Sequence, residues 1–210
     1  MSPRPRSFED ADILAAVGRV IGRHGPARFT LALVAREVGM SPATLVQRFG
    51  SKRKLLVTAM RGGAGDWGGY IAELNAAGKS PLSIVRELVL CLAGMAPTAR
   101  EFGNHLAALL LLDLADPAVY PLTRDMARKN QLALVTLLRE AEAAGELLPG
   151  DHEATARLLN ALAVGSLLQW AIHREGTARD WLARDLDRVL ASSLPPSQGQ
   201  GSDTLERGSD

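Results

Sequence analysis

Residues 30–54, TLALVAREVGMSPATLVQRFGSKRK, carry the pattern that decides the fold. Apolar residues recur in the first part at i, i+3, i+4 and i+7, which is one face of a helix: Leu31, Val34, Ala35 and Val38. Gly39 then stands where a left-handed cap ends a helix without a Cβ clash. Ser41 and Pro42 favour a new start, because Ser accepts from free backbone amides and Pro has a helical φ. The stretch therefore predicts a helix-turn-helix.

The second helix of this pair has an outward face suited to DNA. At about 100° per residue, Leu45 and Phe49 point the same way and seat the helix on its neighbours. The residues that project outward are small, polar or basic, and none is acidic: Ala43, Thr44, Val46, Gln47 and Arg48. Such side chains fit a major groove, where Gln pairs with adenine, Thr contacts thymine and Arg reaches guanine or phosphate.

Three consecutive cations begin the next helix. Ser51 is the predicted N-cap, and Lys52, Arg53 and Lys54 fill the first turn. Cations there are repelled by the positive end of the helix dipole. A bound anion would offset this repulsion. DNA phosphate is the expected anion. The alternative is a solvated basic cluster in an ordinary helical bundle.

The segment GMSPATLVQRFGSKRKLL, preceded by FTLALVAREV, resembles the DNA-binding domain of the tetracycline-repressor (TetR) family of bacterial regulators. Seven residues fall at the spacing of the family: Thr30, Ala35, Gly39, Leu45, Phe49, Lys52 and Leu55. Two positions depart from it, since members often carry Tyr in place of Val46 and His in place of Arg48. The Tyr typically contacts a backbone phosphate, and that contact is here left to Arg48 or to the cations at 52–54.

The outward face, the cations and the resemblance together give a set of predicted DNA-binding residues. They are Arg28, Thr30, Ser41, Pro42, Ala43, Thr44, Val46, Gln47, Arg48, Lys52, Arg53 and Lys54. The predicted partner is double-stranded DNA with a palindromic operator.

Composition and charge agree with a nucleic-acid module joined to a second part. The 210 residues are 47% hydrophobic and 22% charged, and alternating β-branched runs are absent, which predicts an all-α fold. Residues 1–61 carry 11 Lys and Arg against 4 Asp and Glu, a net charge of +7. Residues 62–210 carry 13 against 19, a net charge of −6. A basic N-terminal part joined to an acidic C-terminal part is the charge distribution typical of a DNA-binding domain attached to a second domain.

Cysteine content and apolar run lengths predict a cytoplasmic protein without a membrane partner. Cys91 is the single cysteine, so no intramolecular disulfide forms. The opening MSPRPR lacks the apolar segment of a signal peptide. The longest charge-free apolar run, Leu158 to His173, is short and interrupted by polar residues.

We expect a chain of five segments, with about nine helices in all, that begins with a three-helix helix-turn-helix domain and dimerises through its last two helices. The segments are a flexible arm (1–6), the helix-turn-helix domain (7–54), a connecting helix (55–78), a C-terminal effector-binding and dimerisation domain (79–194) and a disordered tail (195–210). Five glycines at 62–69 cost about 1 kcal/mol each inside a helix, so a bend, break or mobile stretch is expected there. It is either a hinge or a plain linker.

The helix predicted at 153–173 has apolar side chains all round, with no charge between Arg157 and Arg174. Such a helix must be covered on every side, which favours a twofold interface with a second copy, as TetR-family dimers form it. The alternative is that this helix and the last predicted helix, at 178–192, are both core helices of a monomer. The predicted interface residues are Leu158, Ala161, Leu162, Gly165, Leu168, Gln169, Ile172, Trp181, Leu186 and Val189.

The resemblance also implies a small, largely apolar effector bound within the C-terminal domain. Candidate lining residues combine apolar bulk with a few polar groups: Cys91, Met95, Phe102, Asn104, His105, Leu109, Met126 and Trp170. Each has an alternative role as an ordinary core residue.

No pattern for catalysis, metal binding or a cofactor is present in the sequence. The four histidines are far apart, and the glycines at 62–69 follow no strand. With the face of residues 43–48, the cations at 52–54 and the apolar helix, the resemblance implies a homodimeric regulator, a repressor released by a small molecule. Two alternatives stay open: a DNA-binding regulator without such an effector, and a helical adaptor or enzyme whose front only resembles a DNA reader.

Overall fold

The computed structural model of the chain describes residues 9–63, 67–94 and 97–196, without the side chains of residues 60–63. In these residues it contains ten α-helices, a 3₁₀ turn and a π-helical turn, and no strand. The all-α prediction is confirmed. The connecting helix expected at 55–78 corresponds to two described stretches, Lys52–Gly63 and Trp67–Ala76. The predicted arm (1–6), residues 64–66 of the glycine-rich stretch and most of the predicted tail lie outside the described residues.

The N-terminal helices are α1 (Asp10–His24), α2 (Leu31–Val38), α3 (Pro42–Phe49) and α4 (Lys52–Gly63), with a 3₁₀ turn at Pro26–Arg28. Their ends follow the sequence signals. The Thr30 hydroxyl accepts from the Leu33 amide at 3.2 Å, and the Ser41 hydroxyl accepts from the Thr44 amide at 3.1 Å. Gly39 caps α2 in the left-handed region, at φ 70° and ψ 31°. The turn between α2 and α3 is thereby fixed by local hydrogen bonds.

These helices close around one apolar core. Phe29 and Leu45 are among its completely buried members, and Leu55 of α4 joins them. The remaining core residues come mainly from α1 and α2: Ile13, Ala16, Val17, Val20, Ile21, Val34, Ala35 and Val38. Because α1 packs on both α2 and α4, it braces the helix-turn-helix from behind.

The rest of the described chain is a helical body. It consists of α5 (Trp67–Ala76), α6 (Pro81–Gly94), α7 (Ala99–Ala108), a π-helical turn (Leu109–Asp113), α8 (Tyr120–Ala143), α9 (His152–His173) and α10 (Ala178–Ala191). A second core lies between α6, α8, α9 and α10, with Leu88, Leu138, Leu159 and Leu182 completely buried. No single described helix is long and apolar enough to cross a membrane, and α6 with the α7 stretch reaches that length only across a 97° bend.

The N-terminal domain sits on the body through α1 and α7. The Asn104 side-chain amide donates to the Gly22 carbonyl at 2.6 Å. A Cβ at Gly22 would lie 2.8 Å from Nε2 of His105, and Gly25 has a φ of 78° and faces the Asn104 amide group. Glycine is therefore required at this contact both for close approach and, at Gly25, for the backbone conformation.

We predict that Ser41→Ala lowers the free energy of unfolding by about 1 kcal/mol, because the Thr44 amide loses its capping acceptor. The measurement is urea unfolding of the full chain, with the midpoint expected to fall and the slope unchanged. Thr136→Ala, at an exposed position inside α8, serves as the control and should not destabilise the chain. An unchanged midpoint in Ser41→Ala would contradict the capping role.

Candidate nucleic-acid interface and adjoining cavity

The exposed face of α3 matches the predicted recognition surface. Leu45 is completely buried and Phe49 half-buried, so the helix is seated as the spacing predicts. The five residues expected to project outward are all exposed: Ala43, Thr44, Val46, Gln47 and Arg48. The Thr44 hydroxyl is hydrogen-bonded to Ser41 at 2.8 Å. This leaves Gln47 as the amide-bearing side chain at the centre of the exposed face.

Lys52 and Lys54 lie beside this face at the start of α4. Lys52 Nζ stands 5.4 Å from the centre of the Phe29 ring, a cation–π contact. The Lys54 amide donates to Ser51, the predicted N-cap, at 3.2 Å. Within the described part of the chain neither lysine forms an ion pair, so both ammonium groups are available to an anion. Arg28 is also exposed, at the end of the 3₁₀ turn.

The two arginines of the basic group are engaged differently. Arg48 pairs with Asp10 of α1. Arg53 donates twice to Asp116, through Nε at 3.1 Å and Nη2 at 2.7 Å. This hydrogen-bonded pair holds the pKa of Asp116 below its ordinary value. Since Asp116 lies between the π-helical turn and α8, Arg53 ties the start of α4 to the body instead of pointing only toward a phosphate.

A cavity of about 420 Å³ lies at the junction of the two parts. One wall comes from α1 and α4, and the other from α7, the π-helical turn and α8. Four of its lining residues carry ionisable side chains: Arg53, His105, Asp113 and Asp116. The rest are apolar or glycine: Leu14, Ala15, Val17, Gly18, Ile21, Leu56, Ala59, Ala108, Leu111, Leu112, Val119 and Met126. The cavity therefore has the apolar lining with a few polar groups that is typical of small-molecule sites.

Asp113 and His105 are perturbed by their position in this cavity. Burial raises the pKa of Asp113 to about 6, and within the described residues its carboxylate has no hydrogen-bond or ion-pair partner. Burial lowers the pKa of His105, against an opposing effect of the nearby Glu101 carboxylate. His105 is thus neutral near pH 7, and Asp113 carries a charge that nothing in the cavity compensates.

The outer face of α9 is an apolar strip on the surface. Its inner face, including Leu159 and Trp170, is buried in the body core. The outer face exposes large side chains, with Ile172 62% and Leu158 52% accessible and Val164 and Leu168 each 39%. Ala161 and Gly165 lie between them and are also exposed. A strip of this kind on a helix is typical of an interaction surface.

The sequence and fold comparisons agree with this geometry. A model of the bacterial regulatory proteins of the tetR family matches residues 13–59, which run from α1 into α4. Over these residues the chain is similar to the TetR family. The resemblance noted in the sequence is confirmed for this domain, which includes the exposed face of α3.

Solved structures share the whole TetR-family fold. A TetR-family transcriptional regulator from Agrobacterium tumefaciens has a TM-score of 0.70 at 22% identity, over 89% of this chain and 98% of that one. A protein from Saccharomonospora viridis, described as a transcriptional regulator and solved with choline, has a TM-score of 0.67 at 21% identity, over 88% of this chain and 96% of that one. FadR from Bacillus subtilis, solved with stearoyl-CoA, has a TM-score of 0.60 at 16% identity, over 87% of this chain and 98% of that one. At these identities the likeness establishes the fold. No curated protein matches the chain.

The residues predicted for the effector pocket are not together in the TetR-family fold. His105 and Met126 line the junction cavity, and Asn104 and Leu109 lie on the same side of the body. Trp170 is buried in the body core and donates Nε1–H to the Gly176 carbonyl at 3.2 Å. Phe102 packs against that core, and Cys91, whose pKa burial raises, donates to the Leu88 carbonyl. Met95 lies outside the described residues.

Sequence reasoning missed Asp113, Asp116 and the α1 wall of the cavity. One signal was present, because Asp113 directly follows the run Leu109–Leu112, and an acid at the end of an apolar run is often half-buried. The α1 wall carries no such signal, since its residues read only as the core face of a helix.

The predicted dimer residues separate into exposed and buried ones. Six are exposed on α9: Leu158, Ala161, Gly165, Leu168, Gln169 and Ile172. Leu162, Trp181 and Val189 are partly buried, and the Trp181 ring stacks on His173 at 5.7 Å. Leu186 is completely buried in the core of one chain, so the prediction that it contacts a second copy is wrong. It points inward because α10 has two apolar faces, and the face with Leu186 packs on the body.

We predict that Asp113→Asn raises the free energy of unfolding by about 1 kcal/mol near pH 8, after discounting the shift for water that still reaches the side chain. In the folded chain the pKa is about 6, above its ordinary value of 3.8, so ionisation destabilises the fold. The stability gained from Asn should decrease as the pH falls through 6 and disappear below the ordinary pKa of 3.8. Urea unfolding across this pH range measures it.

Asp125→Asn is the matched control, since Asp125 is an exposed carboxylate on α8. Its stability should follow that of the unaltered chain across the same pH range. If the stability advantage of Asp113→Asn over the unaltered chain is no larger at pH 8 than at pH 4, the charge of Asp113 is not buried without compensation.

Proposed function

We propose that this TetR-family protein is a homodimeric transcriptional repressor that binds a palindromic operator and is released by a small molecule. The observation that carries the proposal is the exposed, non-acidic face of α3 beside two lysines without ion pairs. Gln47 would read a base edge, and Lys52 and Lys54 would bind phosphate at the start of α4. The short side chains of Ala43 and Val46 would let α3 lie deep in a major groove.

The apolar strip on α9 supports the homodimer. A strip with exposed Leu158, Leu168 and Ile172 is costly in water, and a second copy of the same face would bury it. The small residues Ala161 and Gly165 would allow the two α9 helices to approach closely. A dimer would place two α3 helices at half-sites about one DNA turn apart.

The junction cavity supports regulation by a small molecule. Its walls belong to both parts of the chain, so a ligand inside it would touch the DNA-binding domain and the body together. Solved relatives of the same fold hold choline and stearoyl-CoA, which supports an effector for this chain as well. A ligand that prefers one arrangement of the two parts would shift the population toward it and change the separation of the α3 helices. Cytoplasmic location and the absence of enzymatic activity are parts of the same proposal.

We predict that Lys52→Ala and Gln47→Ala weaken DNA binding in different ways. Lys52→Ala should weaken binding to all duplexes and flatten the salt dependence by about one unit of slope, because one phosphate contact is lost. Gln47→Ala should relax discrimination at particular base pairs by about 1–3 kcal/mol. Selection of bound duplexes from a random pool, followed by affinity titration at several salt concentrations, measures both effects.

Lys129→Ala, an exposed lysine of α8, is the matched control and should leave both affinity and salt slope unchanged. Recovery of an inverted repeat from the pool would support the proposed symmetry. If Gln47→Ala selects the same sequences as the unaltered chain with the same preference, α3 is not the recognition helix.

We predict that Leu168→Arg converts the homodimer to a monomer and lowers operator affinity at least tenfold, because a charge would enter the apolar interface. Sedimentation velocity measures the mass and a duplex titration the affinity. Leu114→Arg is the matched control, since Leu114 is 46% exposed but lies outside α9 and α10. A Leu168→Arg chain that remains a dimer would contradict the proposed interface.

A further inference from the structure

The junction cavity has one unbalanced charge. Arg53 and Asp116 neutralise each other through their double hydrogen bond. His105 is neutral near pH 7 because burial lowers its pKa. Asp113 lines the same cavity, and among the described residues its carboxylate forms neither an ion pair nor a hydrogen bond. At neutral pH the cavity therefore presents a single uncompensated carboxylate, in a lining that is otherwise mostly apolar.

We propose that this cavity binds a small organic monocation, an alkylammonium compound, with the Asp113 carboxylate as its counter-ion. A cation that enters next to Asp113 removes the cost of an uncompensated, half-buried charge. An anion would be repelled by the same carboxylate. A neutral apolar molecule would fill the cavity but leave that charge uncompensated, so it should bind more weakly.

The lining defines the rest of the ligand. No Phe, Tyr or Trp side chain lines the cavity among the described residues, so the charge would be held by the carboxylate and not by the face of such a ring. Leu14, Ile21 and Leu56 on one wall and Leu112, Val119 and Met126 on the other would cover an alkyl chain. A volume of about 420 Å³ accepts a single-chain amine, not a lipid with two chains.

The position of the site also suggests how occupancy would reach DNA, and this step rests on the proposed function. The α4 wall residues Leu56 and Ala59 lie one to two turns beyond Lys52 on the same helix. A ligand held between α4 and the Asp113 side of the body would therefore fix the angle at which the lysine-bearing start of α4 is presented.

The test is isothermal titration of the full chain with three ligands that share a ten-carbon chain, all kept below micelle-forming concentrations. These are decyltrimethylammonium, the neutral 1-decanol and the anionic decanoate. We expect decyltrimethylammonium to bind once per chain and at least tenfold more tightly than the other two. Equal affinities of all three head groups, or no binding of any, would overturn the proposal.

Two variants separate the charge from the space. Asp113→Asn keeps the shape and should weaken decyltrimethylammonium binding about tenfold while leaving 1-decanol binding unchanged; Asp125→Asn is its control. Gly18→Leu places a side chain into the cavity without a backbone clash and should abolish binding with Asp113 intact. Gly103→Leu, at an open position on α7 outside the cavity, should bind normally. Unchanged cation affinity in Asp113→Asn would overturn the role of the carboxylate.

A parallel operator titration distinguishes this inference from the proposed function. If the cation binds through Asp113 but leaves operator affinity unchanged, the ligand class stands and the proposed effector role fails. If 1-decanol and decanoate release the operator as well as the cation does, the effector role stands and the assignment of a cationic ligand fails.

Discussion

The close approach of α7 to the end of α1 sets where the DNA-binding domain stands on the body. Glycines at 22 and 25 leave room for the Asn104 and His105 side chains, and the Asn104 amide closes the contact on the Gly22 carbonyl. A larger residue at either glycine would require the His105 or Asn104 side chain to shift. The cavity walls and the Arg53–Asp116 pair both span this junction, so both depend on the same contact.

One helix connects the candidate DNA contact to the cavity. The first turn of α4 carries Lys52 and Lys54, and the next two turns contribute Leu56 and Ala59 to the cavity wall. Arg53 sits between these two surfaces and is fastened to the body by Asp116. The short distance matters physically, because a rigid helix of two to three turns transmits a rotation at one end to the other without intermediate elements.

Local signals in the sequence were sufficient for the fold class and for the exposed face of α3. The caps at Thr30, Gly39 and Ser41 and the seating of Leu45 follow from contacts within a few residues, so spacing alone predicts them. The cavity does not follow in this way, because its walls are far apart in the chain and meet only after α1 packs on α7. Leu186 illustrates the same limit, since periodicity gives two apolar faces to α10 and only tertiary packing decides which one is buried.

The π-helical turn at Leu109–Asp113 makes the direction of the Asp113 side chain sensitive to the deletion of one residue. The Leu114 amide bonds to the Leu109 carbonyl across five residues, so the turn holds one more residue than an α-helical turn would. Deleting one leucine would restore α-helical spacing and rotate the acidic side chain by about 100° around the helix axis. A single codon loss would thus redirect the carboxylate and shift the leucines of the same turn, giving descendants a short evolutionary route to a different chemical preference.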